Sequence, residues 1–182
     1  MRVVAGRYRH LNLIAPEGMS TTRPTLDRIK EAMFNILNMS IIDSTVVDLF
    51  SGSGSLGIEA LSRGASHVYF NDQDNNAIRC ININLKNIKA DANEYTVTKL
   101  NYLDFLNYLK NNDIKIDILL LDPPYMQNIY EDIITFCLDN NLFNDGAKVM
   151  IEALLSTEIN LENYTFKMYK YGEKKLLLVN IK

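Results

Sequence analysis

From Thr45 onward, short apolar runs alternate with segments whose apolar residues recur at helical spacing, and no other feature narrows the fold as far. Val46-Val47-Asp48-Leu49-Phe50 reads as a strand, followed by a helix over about residues 56–63. His67-Val68-Tyr69-Phe70 is the next strand, with a helix over about 75–88. Tyr95-Thr96-Val97-Thr98-Lys99, rich in β-branched side chains, is the third, ahead of a helix around 104–110. Ile116-Asp117-Ile118-Leu119-Leu120-Leu121 is apolar enough to be buried on both faces, and a helix over about 129–139 separates it from Lys148-Val149-Met150-Ile151-Glu152. The chain closes with two extended runs, 164–170 and 176–181, turning at Tyr171-Gly172-Glu173. Strands separated by helices pair in parallel through right-handed crossovers. The pattern therefore predicts an α/β fold: a doubly wound, mostly parallel sheet with helices on both faces and an antiparallel C-terminal edge.

The first 44 residues read differently. Arg2-Val3-Val4-Ala5 and Leu11-Asn12-Leu13-Ile14 are extended runs around a basic turn, which predicts a small hairpin. Pro16-Glu17-Gly18 breaks the chain. Thr25 then suits a helix cap, with Leu26, Ile29, Met33, Ile36 and Leu37 at helical spacing behind it. Through Lys30 the segment carries Arg2, Arg7, Arg9, Arg23, Arg28 and Lys30 against Glu17 and Asp27, a balance of +4. The whole chain is at −3, so the remainder stands at −7. Such asymmetry marks either a basic arm that contacts phosphate or a solvated basic surface. The expected organisation is one domain over 1–182, with an extension over 1–40 and a Rossmann-like core over 41–182.

No apolar stretch approaches the roughly 20 residues that span a bilayer, and charges interrupt the start, so a cytoplasmic protein is expected. Two isolated cysteines, Cys80 and Cys137, give neither a disulfide framework nor a zinc set, and no metal is expected.

Ser51-Gly52-Ser53-Gly54-Ser55-Leu56-Gly57 follows the first strand of the core and opens a helix, and Asp72 lies 20 positions beyond Gly52. Glycines let the backbone approach a ligand, and an acidic side chain after the second strand takes ribose hydroxyls. The motif suits both dinucleotides and S-adenosylmethionine. Asp48, just ahead of the loop, leans toward the second, because a carboxylate repels a pyrophosphate and attracts a cationic amino acid moiety. Its bland role is to accept loop N–H groups. Asn101 and Asp104, after the third strand, either meet an adenine edge or act as a turn residue and helix cap.

Asp122-Pro123-Pro124-Tyr125 ends the fourth strand abruptly at the sheet edge where open α/β sheets bind ligands. An exocyclic base amine is a poor nucleophile because its lone pair is delocalised. Asp122 and the Pro123 carbonyl are placed to accept its hydrogens and Tyr125 to stack on the base. The bland alternative is a strand-ending turn.

These residues resemble the bacterial methyltransferases that modify N2 of a guanine in 16S ribosomal RNA. The resemblance spans nearly the whole chain: R-V-V-A-G-R-Y-R, R-P-T-L-D-R-I-K-E-A-M-F-N-I-L, D-L-F-S-G-S-G-S-L-G-I-E-A-L-S-R-G-A, D-P-P-Y and the final Y-G strand pair. It implies a class I S-adenosylmethionine-dependent methyltransferase fold with no metal. It further implies cofactor positions at Asp48, Ser51, Gly52, Gly54, Asp72, Asn101 and Asp104, and an amine site at Asp122, Pro123 and Tyr125. The N-terminal hairpin with Arg2, Arg7 and Arg9, together with Arg23 and Arg28, is implied to hold RNA. The implied partner is 16S ribosomal RNA in the small subunit or its assembly intermediate, with ribosomal protein sharing the docking; nothing demands more than a monomer. The chain departs from the family at Asp72, where Glu is usual, and at His10-Leu11-Asn12, where further basic residues are common. Three other readings stand beside this one: an adenine-N6 or cytosine-N4 DNA methyltransferase, a nicotinamide-dependent oxidoreductase, and a non-catalytic ribosome assembly factor.

Overall fold

A computed structural model describes residues 1–16, 24–123 and 129–182. The Pro16-Glu17-Gly18 break beyond Pro16, Arg23, and Pro124 and Tyr125 lie outside the described residues. The chain runs α1 (Pro24–Leu37), β1 (Thr45–Asp48), α2 (Ser55–Ser62), β2 (His67–Asn71), α3 (Asn75–Asn87), β3 (Tyr95–Thr98), α4 (Tyr102–Asn111), β4 (Ile116–Leu121), α5 (Ile129–Asp139), β5 (Phe143–Leu154), β6 (Thr165–Tyr171) and β7 (Lys174–Asn180). Short 3₁₀ turns at Asn38–Ile41 and Ala92–Glu94 have no apolar periodicity to announce them. Helix α1 starts at Pro24, whose missing N–H costs nothing there, so Thr25 falls in the first turn and not at the cap.

The seven strands lie in the order β3-β2-β1-β4-β5-β7-β6. β1 to β5 are parallel, and β7 runs antiparallel to both β5 and β6. Chain order reverses between β1 and β4, which opens a crevice at their carboxyl ends. Strand β5 begins at Phe143, five residues before the apolar run that signals it, because Ile116 still pairs with Phe143 across a register shift. Two apolar layers sandwich the sheet. Helices α1, α2 and α3 cover one face through residues such as Phe34, Ile58 and Ile81. Helices α4 and α5 cover the other through Phe105, Leu109, Ile133 and Ile134.

The N-terminal hairpin is short: Arg2 bridges Asn12, and Val3 N–H donates to the Leu11 carbonyl at 3.0 Å. Few of its own bonds hold it, so its attachment to α2 decides its position. Glu59 of α2 is fully buried, and its two oxygens accept from the N–H groups of Val4 (2.8 Å) and Ala5 (3.0 Å). Arg63 Nε donates to the same carboxylate at 2.8 Å, and Lys30 Nζ stands 3.5 Å away. Lys30, buried itself, donates to the Arg2 carbonyl at 2.6 Å and to Ser55 Oγ at 2.9 Å, which ties α1, α2 and the hairpin together. At Gly6 (φ +82°) the backbone passes so close to α2 that a Cβ would stand 1.8 Å from the Ser62 carbonyl oxygen, and only glycine fits.

Removing one partner of a buried ion pair leaves uncompensated charge and unpaired N–H groups, at about 3–5 kcal/mol. Glu59→Ala is therefore expected to destabilise the protein by about that much, read by denaturant unfolding. A loss below about 1 kcal/mol would show that the hairpin is held by something else.

Candidate active site

The crevice is floored by the carboxyl ends of β1, β2, β3 and β4. After Asp48 the chain folds into the glycine loop, where Ser51 Oγ donates to the Asp48 carbonyl at 2.7 Å and Gly54 N–H to the Ser51 carbonyl at 2.7 Å. Gly54 (φ +78°) is the left-handed cap from which α2 departs, a conformation that a side chain would strain.

Asp48 is buried, and its Oδ2 accepts from Gly57 N–H at 2.9 Å, which is the structural role open to it from the sequence. One N–H does not offset the loss of water. Burial first, and Asp72 next among the raising influences, push the carboxyl up to about 7. Among the described residues no lysine or arginine forms an ion pair with it. A buried carboxylate without a counter-ion beside a glycine loop fits a ligand that brings its own positive charge, as S-adenosylmethionine does. It opposes a pyrophosphate.

Asp72 is half-buried and spans the loop and the next turn, accepting from Gly52 N–H at 2.8 Å and from Asp74 N–H at 3.0 Å. The shorter acid thus serves as a brace for the glycine loop. Asn101 caps α4 by accepting from Asp104 N–H at 2.9 Å, and its amide donates to Asp104 Oδ2 at 2.5 Å. Both are exposed at the crevice rim and joined to each other in the cap geometry.

Two residues that build the site escape a motif reading. Asn71, buried at the end of β2, donates to the carbonyls of Leu49 (3.3 Å) and Leu100 (3.0 Å) and accepts from Thr98 Oγ1 at 2.9 Å. One amide therefore clamps three strand ends. Its only sequence signal is a polar residue closing an apolar strand immediately before Asp72. Asn84 of α3, fully buried, donates to the Ser53 carbonyl at 2.9 Å and accepts from Ile14 N–H at 2.9 Å, fastening the glycine loop to the N-terminal segment.

Asp122 follows β4 directly, and Pro123 behind it is buried. The Asp122 side chain is exposed to the crevice while protein atoms crowd its other sides. That crowding, then the negative charge of Glu152, raises its carboxyl above the ordinary value, and Lys174 works the other way. On α5, Tyr130 is buried, and its hydroxyl is pushed up to about 12 by burial first and then by Asp122 and Glu152.

Of the basic residues, Arg9 and Arg28 are exposed, and exposed Arg2 has Nε 3.5 Å from Asp27. Arg7 is committed to Glu94 through two hydrogen bonds and lies 4.7 Å above the Tyr8 ring. Cys80 and Cys137 are both buried and unpaired.

Strand order, glycine loop and acidic strand ends define a class I S-adenosylmethionine-dependent methyltransferase fold. A family model described as Conserved hypothetical protein 95 matches residues 1–180. "Ribosomal RNA small subunit methyltransferase D" of Haemophilus influenzae is 38% identical over 84% of this chain and 78% of its own length. "Putative rRNA methyltransferase YlbH" of Bacillus subtilis is 33% identical over 84% and 82%. The solved "Putative methyltransferase yhhF from Escherichia coli" superposes with a TM-score of 0.82 at 28% identity, covering 100% of this chain and 98% of that one. The chain belongs to this family of ribosomal RNA methyltransferases.

A group whose folded pKa is raised stabilises most below its unfolded value and loses that contribution as pH climbs through the folded value. For Asp48 the loss runs from about pH 4 to about 7. Asp48→Asn, which carries no charge, is expected to be more stable than the wild type at pH 8 and equal to it below about pH 4, by denaturant titration. A pH-independent difference would mean that Asp48 does not titrate in this window.

Proposed function

We propose that this protein transfers a methyl group from S-adenosylmethionine to the exocyclic N2 amine of one guanine in the 16S RNA of the small ribosomal subunit. The observation that carries the proposal is the placement of Asp122 at the end of β4, across the topological switch point from buried Asp48 and the glycine loop. The names of the relatives support the ribosomal RNA substrate and the small subunit.

When bound, the cofactor supplies a methyl group on a positively charged sulfur. Asp48, Ser51, Gly52, Gly54 and Asp72 form its cradle, with Asn101 and Asp104 at the adenine end. The glycine backbone allows close approach and Asp48 balances the amino acid moiety's charge. On the acceptor side, Asp122 and the Pro123 carbonyl accept the two hydrogens of the base amine, which localises the nitrogen lone pair toward the methyl. As the N–C bond forms, the methyl–sulfur bond breaks and its electron pair goes to sulfur to leave a neutral thioether; positive charge grows on nitrogen, and the Asp122 carboxylate would stabilise it and take the proton. The upward shift of that carboxyl brings its basicity closer to what proton removal near neutral pH needs. Tyr125 stacks on the base, which enters the crevice flipped out of its helix or loop. Residues 1–40 are the RNA-contacting extension and 41–182 the catalytic core of a single-domain, monomeric, cytoplasmic enzyme. Its substrate is the subunit or an assembly intermediate, where ribosomal protein contributes to docking.

The decisive assay offers radiolabelled S-adenosylmethionine with small subunits, naked 16S RNA or DNA, followed by nucleoside mapping. N2-methylguanosine from the first or second substrate is expected, and labelled adenine or cytosine in DNA would overturn the assignment. Asp122→Ala should lower turnover by about 10²-fold or more while leaving cofactor affinity nearly unchanged. Near-normal turnover would remove Asp122 from the reaction.

Exposed Arg2, Arg9 and Arg28 form the part of the arm open to phosphate. Replacing all three with Gln should reduce the slope of log affinity against log salt by about 2, at roughly 0.7 per single-strand phosphate contact. An unchanged slope would take the arm out of the RNA interface.

A further inference from the structure

Next to Asp122 stands a second carboxylate that no motif announces. In the parallel pairing of β4 and β5, Leu121 is opposite Ile151, so the residues that follow, Asp122 and Glu152, sit side by side at the crevice edge. Neighbouring strands are about 4.8 Å apart, close enough for two side chains to meet one flat ring. Glu152 is only 6% exposed, and an ion pair to Lys174 of β7 anchors it. Its Oε1 accepts from Lys174 Nζ. Among the described residues Oε2 accepts no hydrogen bond, and it is not sealed from solvent. The pair is across the antiparallel β5–β7 ladder, where Glu152 is opposite Leu176 and Lys174 opposite Leu154. A buried acid paired with a lysine, with one oxygen left over beside the proposed amine site, is a directed acceptor.

Base chemistry says what such an acceptor reads. On the Watson–Crick edge of guanine, N1–H lies directly beside the N2 amine, so two donors face the protein together. In adenine the amine has a bare ring nitrogen next to it, and in cytosine likewise. Two adjacent carboxylates match the first pattern and repel the other two, since a lone pair would face a buried negative oxygen. We infer that Glu152, anchored by Lys174, is the specificity-determining residue of the site: its Oε2 accepts guanine N1–H while Asp122 engages the N2 amine. The inference rests on the guanine reading proposed above. It supplies a reason, on this chain, for selecting guanine over other amine-bearing bases.

The test uses small subunits reconstituted with RNA that carries either guanine or 2-aminopurine at the mapped position. 2-Aminopurine keeps the amine and has a lone pair at N1. The wild type should prefer guanine by about tenfold or more in kcat/KM, within the range for one well-placed base-edge contact. Glu152→Gln keeps the shape and adds an amide donor that suits the lone pair. It should lose activity on guanine and reduce the preference by about tenfold, with cofactor affinity retained. The missing O6 of 2-aminopurine affects both enzymes and cancels in the comparison. An equal fall on both substrates, leaving the preference unchanged, would make Glu152 a structural residue and overturn the inference. If Glu152→Gln fails to bind cofactor, Glu152→Asp takes its place in the comparison: a reduced preference supports the inference, and an unchanged one overturns it. A wild type that forms no N2-methylguanosine on any substrate removes the guanine reading itself, and the inference with it, a result distinct from an unchanged preference.

Discussion

The buried carboxylate of Glu59 is the interaction on which the arrangement of the molecule depends. It gathers two backbone N–H groups from the hairpin and the charges of Arg63 and Lys30 into one sealed cluster. An unpaired ion there would cost several kcal/mol, so the hairpin, α1 and α2 cannot separate without exposing it. That cluster places the N-terminal arm against the helix that carries the glycine loop. Asn84 repeats the connection from the other side, joining Ile14 to the loop at Ser53. The N-terminal arm and the glycine loop are therefore one mechanical unit, although 38 residues lie between Ile14 and Ser53 in sequence.

At the carboxyl ends of the strands the same physics is used in the reverse sense. Asp48 and Asp122 are held at protein positions that raise their carboxyls, with too few hydrogen bonds to restore the ordinary values. Glu152, on the neighbouring strand, is ion-paired with Lys174. Three acids on neighbouring strand ends thus stand in three electrical environments. Among the described residues one lacks a counter-ion, one is exposed at the strand end, and one is paired with a lysine. Such separation of roles by environment is a common feature of catalytic carboxylates.

Helices α2, α3 and α5 and strand β4 were legible almost to the residue, because apolar periodicity and flanking glycines, prolines and caps all agree there. The beginning of β5 was not. Its first residues, Phe143-Asn144-Asp145-Gly146, look like a turn and become a strand only through pairing with Ile116. Within the site, Asp48, the glycine loop, Asp72 and Asp122 announce themselves by spacing. Asn71, Asn84 and Glu152 do not, since each is an isolated polar residue whose meaning comes from what is packed against it. Asn101 and Asp104 leave both a ligand contact and a helix cap open from their spacing, and the structure shows them joined in the cap at the crevice rim.

The order of strands and helices, the glycine loop and the acid that follows β4 are local matters, written in periodicity and in residues that only certain backbone shapes tolerate. The sequence alone determined them. Tertiary structure decided which distant groups share an environment: Glu59 with the hairpin, Arg7 with Glu94 instead of solvent, Glu152 beside Asp122 with Lys174 at its back. The reason is physical. Periodicity depends on neighbours a few residues apart, whereas burial and charge depend on distance in space, and that distance is set only when the sheet closes.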